Sequence, residues 1–216
     1  MRTITESEST PKPMASLCLQ SLLRRIACGW AGPTAPTPGS WRQAAQKQYA
    51  AIARAIAEFT PVFMCANQVD YANCKAVFEN DENVTVIEMT TDDAWFRDTA
   101  ATYVINGKGE KRANHWHFNA YGGLVDGLYF PWDKDEQIAL KMAELSGCRR
   151  YRPDDMILEG GSITVDGEGT LVVTDQCLLS PGRTCSAVLE EEEDPESIWP
   201  KFKKKFEPGA RSFAST

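Results

Sequence analysis

Apolar residues recur every three to four positions after residue 40, which is the spacing of one face of an α-helix. The residues on this face are Ala45, Tyr49, Ile52, Ile56 and Phe59. Ser40 can cap the helix, and Pro61 closes it because a proline lacks a backbone N–H and clashes with the preceding turn. The run PVFMCA then predicts a buried strand, and a short helix is expected near Asp70.

Strands and helices continue to alternate along the chain. The β-branched run at 83–89 predicts a strand, and ATYVING at 101–107 predicts another. Asp133 and Glu136 form a capping-box-like start for a further helix. Its predicted apolar face consists of Ile138, Met142 and Leu145. The alternation predicts a mixed α/β fold.

A hairpin and two irregular ends complete the predicted organisation. SITV and TLVV flank the turn DGEG, whose glycines allow the positive φ angles of a tight return. Residues 1–39 contain five prolines and are predicted to be a disordered leader. Residues 184–216 lack apolar periodicity and are predicted to be a divergent charged tail. The folded portion is therefore expected at 40–183.

The leader also has features of a targeting peptide. Residues 14–30 are apolar with two arginines, and no acidic residue occurs between Glu8 and Glu58. A simple leader is the favoured interpretation, because acidic residues precede this stretch and no clear cleavage site follows. A cytoplasmic protein is therefore expected, with an organelle as the alternative.

Composition narrows the function classes. Hydrophobic residues make up 43% and charged residues 25% of the chain, as in ordinary globular proteins, and no apolar run has the length of a membrane span. The net charge of −7 argues against nucleic acid as a partner. The seven cysteines form no C-x-x-C pair and are predicted to be reduced thiols. Cys65 and Cys177 lie in apolar runs and are expected to be buried.

The loop at 91–99, TDDAWFRDT, gathers carboxylates, an arginine and two aromatic residues. A guanidinium group is planar and cationic, so its binding needs a carboxylate that accepts two N–H groups and an aromatic face against its plane. Asp98 and Trp95 have the required chemistry. The alternative is an ion pair between Arg97 and Asp98 with Trp95 in the core. Asp92 has no assigned partner.

Two other clusters contain residue types that are common in functional sites. Glu159 precedes two glycines, which let a ligand approach the acid, although a turn glutamate explains the pattern equally well. His115 and His117 would share one face of a strand. They are the chain's two histidines, and two imidazoles make an incomplete metal site. No metal is predicted, and structural packing is the favoured role of both.

Five motifs occur in an order that resembles the agmatine deiminases: TDDAWFRDT, WHFNAYGG, YFPWDKD, LEGGSITVDGEGTLVVT and CLLSPGR. The resemblance runs from about Trp41 to Arg183 and corresponds to the N-terminal portion of a family member. Agmatine deiminases are guanidino-group-modifying enzymes, as are bacterial-type peptidylarginine deiminases. The resemblance implies a five-module α/β propeller, a pentein-like fold, of which this chain would supply about the first two modules.

The resemblance also implies a reaction and a set of site residues. Trp95 and Asp98 would hold the substrate guanidinium, and Glu159 would join Asp98 in the catalytic acid set. In the family reaction a cysteine thiolate attacks the guanidinium carbon, ammonia leaves, and water hydrolyses the amidino intermediate. Agmatine becomes N-carbamoylputrescine in putrescine biosynthesis, and no metal or organic cofactor is required.

The resemblance is incomplete. The family's catalytic histidine, in G-H-x-D, and its late cysteine have no counterpart here, so the chain is expected to be inactive alone. The family pattern D-x-G-P-T is DTAAT at 98–102. The alternatives are a catalytically dead guanidine-binding protein or assembly partner, a peptidylarginine deiminase-like fragment, and a fragment with no independent function. Expected partners are agmatine and a missing C-terminal portion, with no nucleic acid and no membrane.

Overall fold

The computed structural model describes residues 39–106, 108–153, 156–166, 170–180 and 183, together with three short strands nearer the N-terminus. Those strands are β1 (Thr3–Ile4), β2 (Leu17–Cys18) and β3 (Ile26–Gly29). The chain divides into two compact units. Unit 1 comprises Met1–Ser21, Arg97–Trp132 and Ala139–Thr216, and unit 2 comprises Leu22–Phe96 and Asp133–Ile138.

Unit 2 contains a three-stranded parallel sheet in the order β3, β4, β5. Its other elements are α1 (Gly39–Ala57), β4 (Val62–Ala66), α2 (Gln68–Val77), β5 (Val84–Glu88) and α5 (Asp133–Glu136). Parallel neighbours need a crossover, and α2 supplies it between β4 and β5. The predicted strands at 61–66 and 83–89 and the helix near Asp70 are confirmed.

The buried face of α1 agrees with the predicted one at Tyr49 and Ile56 and differs from it elsewhere. Ile52 is 49% exposed and Phe59 is 88% exposed, whereas Ala50 and Ala53 are buried. Tyr49, Ile56 and Ala57 pack against the same core cluster. Small alanine side chains leave room for the larger strand residues, so the helix presents this stripe rather than the bulkiest one.

Unit 1 contains a five-stranded mixed sheet in the order β1, β8, β7, β6, β2. Its elements include β6 (Thr102–Ile105), β7 (Lys111–Asn114), β8 (Arg149–Tyr151), β9 (Ile163–Val165) and β10 (Leu171–Val173). Strands β6 and β7 pair antiparallel, and β8 joins β7 in parallel. The predicted hairpin is confirmed, with Val165 opposite Leu171 in the β9–β10 pair.

Short helical segments complete the described residues: α3 (Phe96–Thr99), α4 (Gly123–Asp126), α6 (Ile138–Leu145) and α7 (Asp175–Leu179). The helix predicted from Asp133 is confirmed in position, with Ile138 buried, but it is divided: Gln137 N donates to Lys134 O in a tight turn that separates α5 from α6. Leu145, expected on the apolar face, is exposed. The core of unit 1 is an apolar cluster of Trp116, Met156, Leu158, Ile163, Leu171 and Leu178.

The two predicted terminal regions fall largely outside the described residues, as does the 14–30 targeting hypothesis except where strands are present. At β1, β2 and β3 the backbone is extended and pairs with β8, β6 and β4, and the disordered leader otherwise stays a prediction. These short strands are held by backbone pairing, which the apolar periodicity of the sequence does not reveal. No helix among the described residues is long and apolar enough to cross a membrane.

Candidate functional site

The candidate loop of unit 2 is organised by a buried carboxylate. Asp135 is fully buried, and its Oδ1 accepts hydrogen bonds from Asp92 N at 2.7 Å and from Asp93 N at 3.3 Å. Thr91 Oγ1 also donates to this oxygen. Three donors on one oxygen fix the backbone of the segment that leads into Trp95.

Asp92, to which the sequence assigned no partner, is paired with Lys134. It is buried, its Oδ1 lies 3.0 Å from Lys134 Nζ, and its Oδ2 accepts a hydrogen bond from Lys134 N. The hydrogen bond to Asp92 raises the pKa of Lys134. The indole of Trp95 is 61% exposed, so the alternative that Trp95 fills the core is wrong.

Asp98 lies in unit 1, and both of its carboxylate oxygens have a donor. Gly161 N donates to Oδ1 at 2.7 Å, and Tyr121 Oη donates to Oδ2 at 2.9 Å. The neighbouring Arg97 donates from Nη2 to Ile163 O at 3.3 Å. The two neighbours thus have different partners, unlike the structural ion pair considered as an alternative.

Gly161 lies so close to Asp98 that any side chain here would displace the carboxylate. A Cβ built on it would lie 2.4 Å from Asp98 Oδ1, closer than real Cβ contacts come. The turn that carries it, Gly160–Ser162, is held by Ser162, whose N and Oγ both donate to Glu159 O, at 3.0 and 2.6 Å. The glycines of the E-G-G motif therefore bring this turn against Asp98.

Tyr121 was not singled out as a site residue from the sequence. Its φ is 70° and that of Ala120 is 53°, a left-handed conformation that non-glycine residues seldom adopt. The ring of Tyr121 packs edge-on against Phe118, with centroids 5.3 Å apart. The only sequence signal was its place in the FNAYGG motif, because backbone angles cannot be read from periodicity.

Glu159 is 2% exposed and has an incomplete set of partners. Arg183 Nη2 lies 3.2 Å from Oε1, and Arg183 Nε donates to the same oxygen at 3.4 Å. Oε2 has no hydrogen-bond partner among the residues that the structure describes. Burial raises the pKa of Glu159, Arg183 opposes the rise, and the charge of Asp98 adds to it.

The two carboxylates belong to one connected arrangement in unit 1. The Arg183 guanidinium carbon lies 5.7 Å from the centroid of the Tyr121 ring, the geometry of a cation–π contact. Tyr121 therefore touches Asp98 through its hydroxyl and Arg183 through its face. Arg183 in turn binds Glu159, so two side chains, Tyr121 and Arg183, link the two acids that the sequence singled out.

The two histidines have structural contacts. His117 Nδ1 accepts from Arg152 Nη2 at 2.7 Å, and His115 Nδ1 is paired with Arg150 Nη1. An arginine has no acceptor, so each Nδ1 is the acceptor. These contacts support the packing role. The described residues include no group of three or more His, Cys, Asp or Glu that could hold a metal ion.

Cys65, Cys74, Cys148 and Cys177 are free thiols. Cys65, Cys74 and Cys148 are buried, and burial, aided by the charge of Asp70, raises the pKa of Cys74 to about 12. The prediction of burial is confirmed for Cys65. Cys177 is only partly buried and lies in the short helix α7, so its predicted burial is wrong in part. Burial raises its pKa, Arg183 opposes the rise, and Glu159 and Asp98 add to it.

The fold and these motifs are shared with known proteins. A sequence profile of the family described as Porphyromonas-type peptidyl-arginine deiminase matches residues 24–194. The agmatine deiminase of Ectopseudomonas mendocina is 49% identical over 157 residues, which is 71% of this chain and 42% of that protein. The agmatine deiminase of Pseudomonas aeruginosa is 51% identical over 149 residues, 68% of this chain and 40% of that protein.

A solved structure agrees with the sequence comparisons. The agmatine deiminase of Enterococcus faecalis superposes with a TM-score of 0.82 at 36% identity, covering 97% of this chain and 55% of that one. The fold is thus the mixed α/β fold of guanidine-modifying enzymes. The chain belongs to the Porphyromonas-type peptidyl-arginine deiminase family. It spans about two fifths of the length of the curated relatives named above.

Proposed function

We propose that this chain provides the guanidinium-binding acids of an agmatine deiminase, which hydrolyses agmatine to N-carbamoylputrescine and ammonia. The observation that carries the proposal is the buried carboxylate of Glu159, whose Oε2 has no partner among the described residues. A buried charged oxygen without a donor is costly, so it marks a place where a cationic ligand would be stabilised.

The charges of the arrangement fit one guanidinium group. Asp98 and Glu159 contribute two negative charges and Arg183 one positive charge, which leaves one negative charge for a substrate guanidinium to balance. A planar guanidinium can donate two parallel N–H groups to a carboxylate, a geometry that a compact ammonium cannot reproduce. This difference supports a guanidine rather than a simple amine as the ligand.

Trp95 remains a proposed substrate contact on the strength of the family resemblance. Its exposed indole is available to a ligand, and it precedes Asp98 by three positions in the chain. The five-module propeller, with this chain as about its first two modules, is likewise proposed from the resemblance. Pairing with a C-terminal portion that supplies the histidine and the nucleophile belongs to the same proposal.

The reaction we propose requires no metal and no organic cofactor. Covalent deimination needs a reactive thiolate. Cys177 is coupled electrostatically to both acids, but burial raises its pKa and thereby disfavours the thiolate. We therefore expect the chain alone to release no ammonia from agmatine above a buffer control, measured with a coupled ammonia assay. Sustained release that depends on the protein would contradict the assignment of the nucleophile to another portion.

Binding is the sharper test of the site. Isothermal titration calorimetry of the full chain with agmatine should give saturable binding, and putrescine, which lacks the guanidinium, should bind more weakly. Asp98→Asn keeps the shape but removes the charge, so agmatine affinity should fall at least about tenfold, as expected for a charged hydrogen bond of about 1.5–3 kcal/mol.

Asp126→Asn is the matched control, because Asp126 is an exposed acid of the same unit. It should bind agmatine like the unaltered chain. Absence of saturable agmatine binding, or equal affinity of Asp98→Asn and Asp126→Asn, would overturn the proposed site.

A further inference from the structure

Two residues outside the predicted site support its acids. Tyr121 donates from Oη to Asp98 Oδ2 at 2.9 Å, and Arg183 Nη2 lies 3.2 Å from Glu159 Oε1. These two supports also touch each other through the cation–π contact of Arg183 with the Tyr121 ring. Asp98 and Glu159 are thus connected through a stacked Tyr–Arg pair.

The charge of Arg183 affects the protonation of Glu159, in addition to any packing role. Glu159 is buried and feels the negative charge of Asp98, and both effects favour the protonated acid. A protonated acid would attract a guanidinium cation much less. Arginine is charged at every pH of interest, so Arg183 is a permanent counter-charge for Glu159.

The contact geometry leaves the acid open to a second cation. Arg183 approaches Oε1 through both Nη2 and Nε and leaves Oε2 without a partner among the described residues. An arginine that bridged both oxygens would close the carboxylate. The Tyr121 ring beneath the guanidinium limits where Arg183 can lie, which favours this one-oxygen arrangement.

The backbone at Tyr121 shows that the ring is held in place. Residues 120 and 121 both have positive φ, a conformation that is unfavourable for non-glycine residues and persists only where surrounding contacts enforce it. Here the contacts are the Phe118 ring, the Asp98 carboxylate and the Arg183 guanidinium. This conformation places one side chain against both halves of the candidate site.

We propose that Arg183 and Tyr121 are positioning residues of the guanidinium site: Arg183 keeps Glu159 as a carboxylate with Oε2 open, and Tyr121 orients Asp98 and carries the Arg183 guanidinium. The identity of the ligand rests on the proposed function. The effect of Arg183 on Glu159 does not, because it is a property of the chain without ligand.

The test without ligand is a pH titration of the Glu159 side-chain carboxyl carbon by NMR in the full chain. Its resonance is assigned by its loss in Glu159→Gln. The charged and titratable groups coupled to Glu159 are Arg183, Asp98 and Cys177. In Arg183→Gln the Glu159 midpoint should rise by at least about one pH unit, a tenfold gain in proton affinity.

Arg183→Lys should raise the midpoint by a smaller amount. An ammonium keeps the charge, but it cannot approach Glu159 with two nitrogens while it lies over the Tyr121 ring. An unchanged midpoint in Arg183→Gln overturns the proposal. If Arg183→Gln fails to fold by circular dichroism, Arg183→Lys decides, and an unchanged midpoint there overturns it as well.

The test with ligand is agmatine affinity as a function of pH. Loss of binding on acidification should occur at higher pH in Arg183→Gln than in the unaltered chain. Tyr121→Phe, which loses the hydroxyl but keeps the ring, should weaken binding about tenfold without moving this profile. Tyr71 is an aromatic residue of unit 2, and Tyr71→Phe should change neither the agmatine affinity nor its pH profile.

These two tests separate the two proposals. If the unaltered chain does not bind agmatine, the proposed function fails while the carboxyl titration still decides the role of Arg183. If agmatine binds but the Arg183→Gln profile coincides with that of the unaltered chain, the positioning role fails and the function stands.

Discussion

Each unit buries carboxylates, and the two sets differ in how fully their oxygens are hydrogen-bonded. In unit 2, Asp135 accepts three hydrogen bonds on one oxygen, and Asp92 is paired with Lys134. In unit 1, Glu159 is equally buried, but only Oε1 is bound by the described residues. A buried acid with many donors organises the backbone around it, whereas a buried acid with an open oxygen has capacity for a ligand.

The largest expected effect concerns the fully hydrogen-bonded carboxylate of unit 2 and its role in stability. Asp135→Ala removes the common acceptor of Thr91 Oγ1, Asp92 N and Asp93 N and leaves buried donors without a partner. We expect the free energy of unfolding to fall by about 3 kcal/mol or more, measured by urea denaturation. Glu79→Ala, an exposed acid of the same unit, should lie within about 0.5 kcal/mol of the unaltered chain. Similar stabilities of the two variants would remove the distinction between the units.

An intermediate effect is expected at Gly161, whose amide binds Asp98 in the candidate ligand site of unit 1. Gly161→Ala would place a methyl group 2.4 Å from Asp98 Oδ1, so the acid has to move away from the Gly161 amide. Agmatine affinity should fall about tenfold, which corresponds to the loss of about 1.4 kcal/mol, in the same calorimetric titration. Unchanged affinity would show that the distance between Asp98 and this turn is unimportant for the ligand.

The smallest expected effect is a pH dependence that only Glu159 should cause. Its pKa in the folded chain is raised above the ordinary value, so its contribution to stability is complete below the unfolded pKa. That contribution is lost as pH rises through the folded pKa. Stability should therefore decline modestly on raising the pH across this interval, while agmatine affinity increases across it.

Thermal melts at a series of pH values give the first quantity and calorimetry gives the second. Glu159→Gln should remove the part of each profile that Glu159 causes, because the amide does not titrate. A Glu159→Gln chain with the same pH dependence as the unaltered one would assign the effect to another group.

Local patterns predicted the strands well where side chains decided them. Strands β4 and β5 are β-branched or apolar runs, and the β9–β10 hairpin is marked by its glycine-rich turn, so neighbouring residues suffice. Strand β8 was missed because Arg149–Tyr151 is short and charged, and its pairing with β7 is a tertiary contact. The predicted face of α1 was right at Tyr49 and Ile56 and wrong at Ile52, because alanines pack against the sheet there, while Phe59 lies beyond the end of the helix.

The candidate site was predictable in its acids and not in their supports. Trp95, Asp98 and Glu159 followed from residue type and family resemblance, and their roles stay predictions. Tyr121 and Arg183 could not be found in this way. Their importance lies in a left-handed backbone and in contacts across at least 23 positions of chain, which no local period encodes.

In the turn Gly160–Ser162, the number of residues between Glu159 and the Gly161 amide matters as much as their identity. Glu159 supplies an acid on one side of this turn, and two residues later the Gly161 amide holds the other acid. Inserting or deleting a single residue between them would bring a different amide to Asp98 or shift Glu159 away from Arg183. Homologous sequences that keep this arrangement should therefore tolerate gaps in the loops around it but none between these two positions.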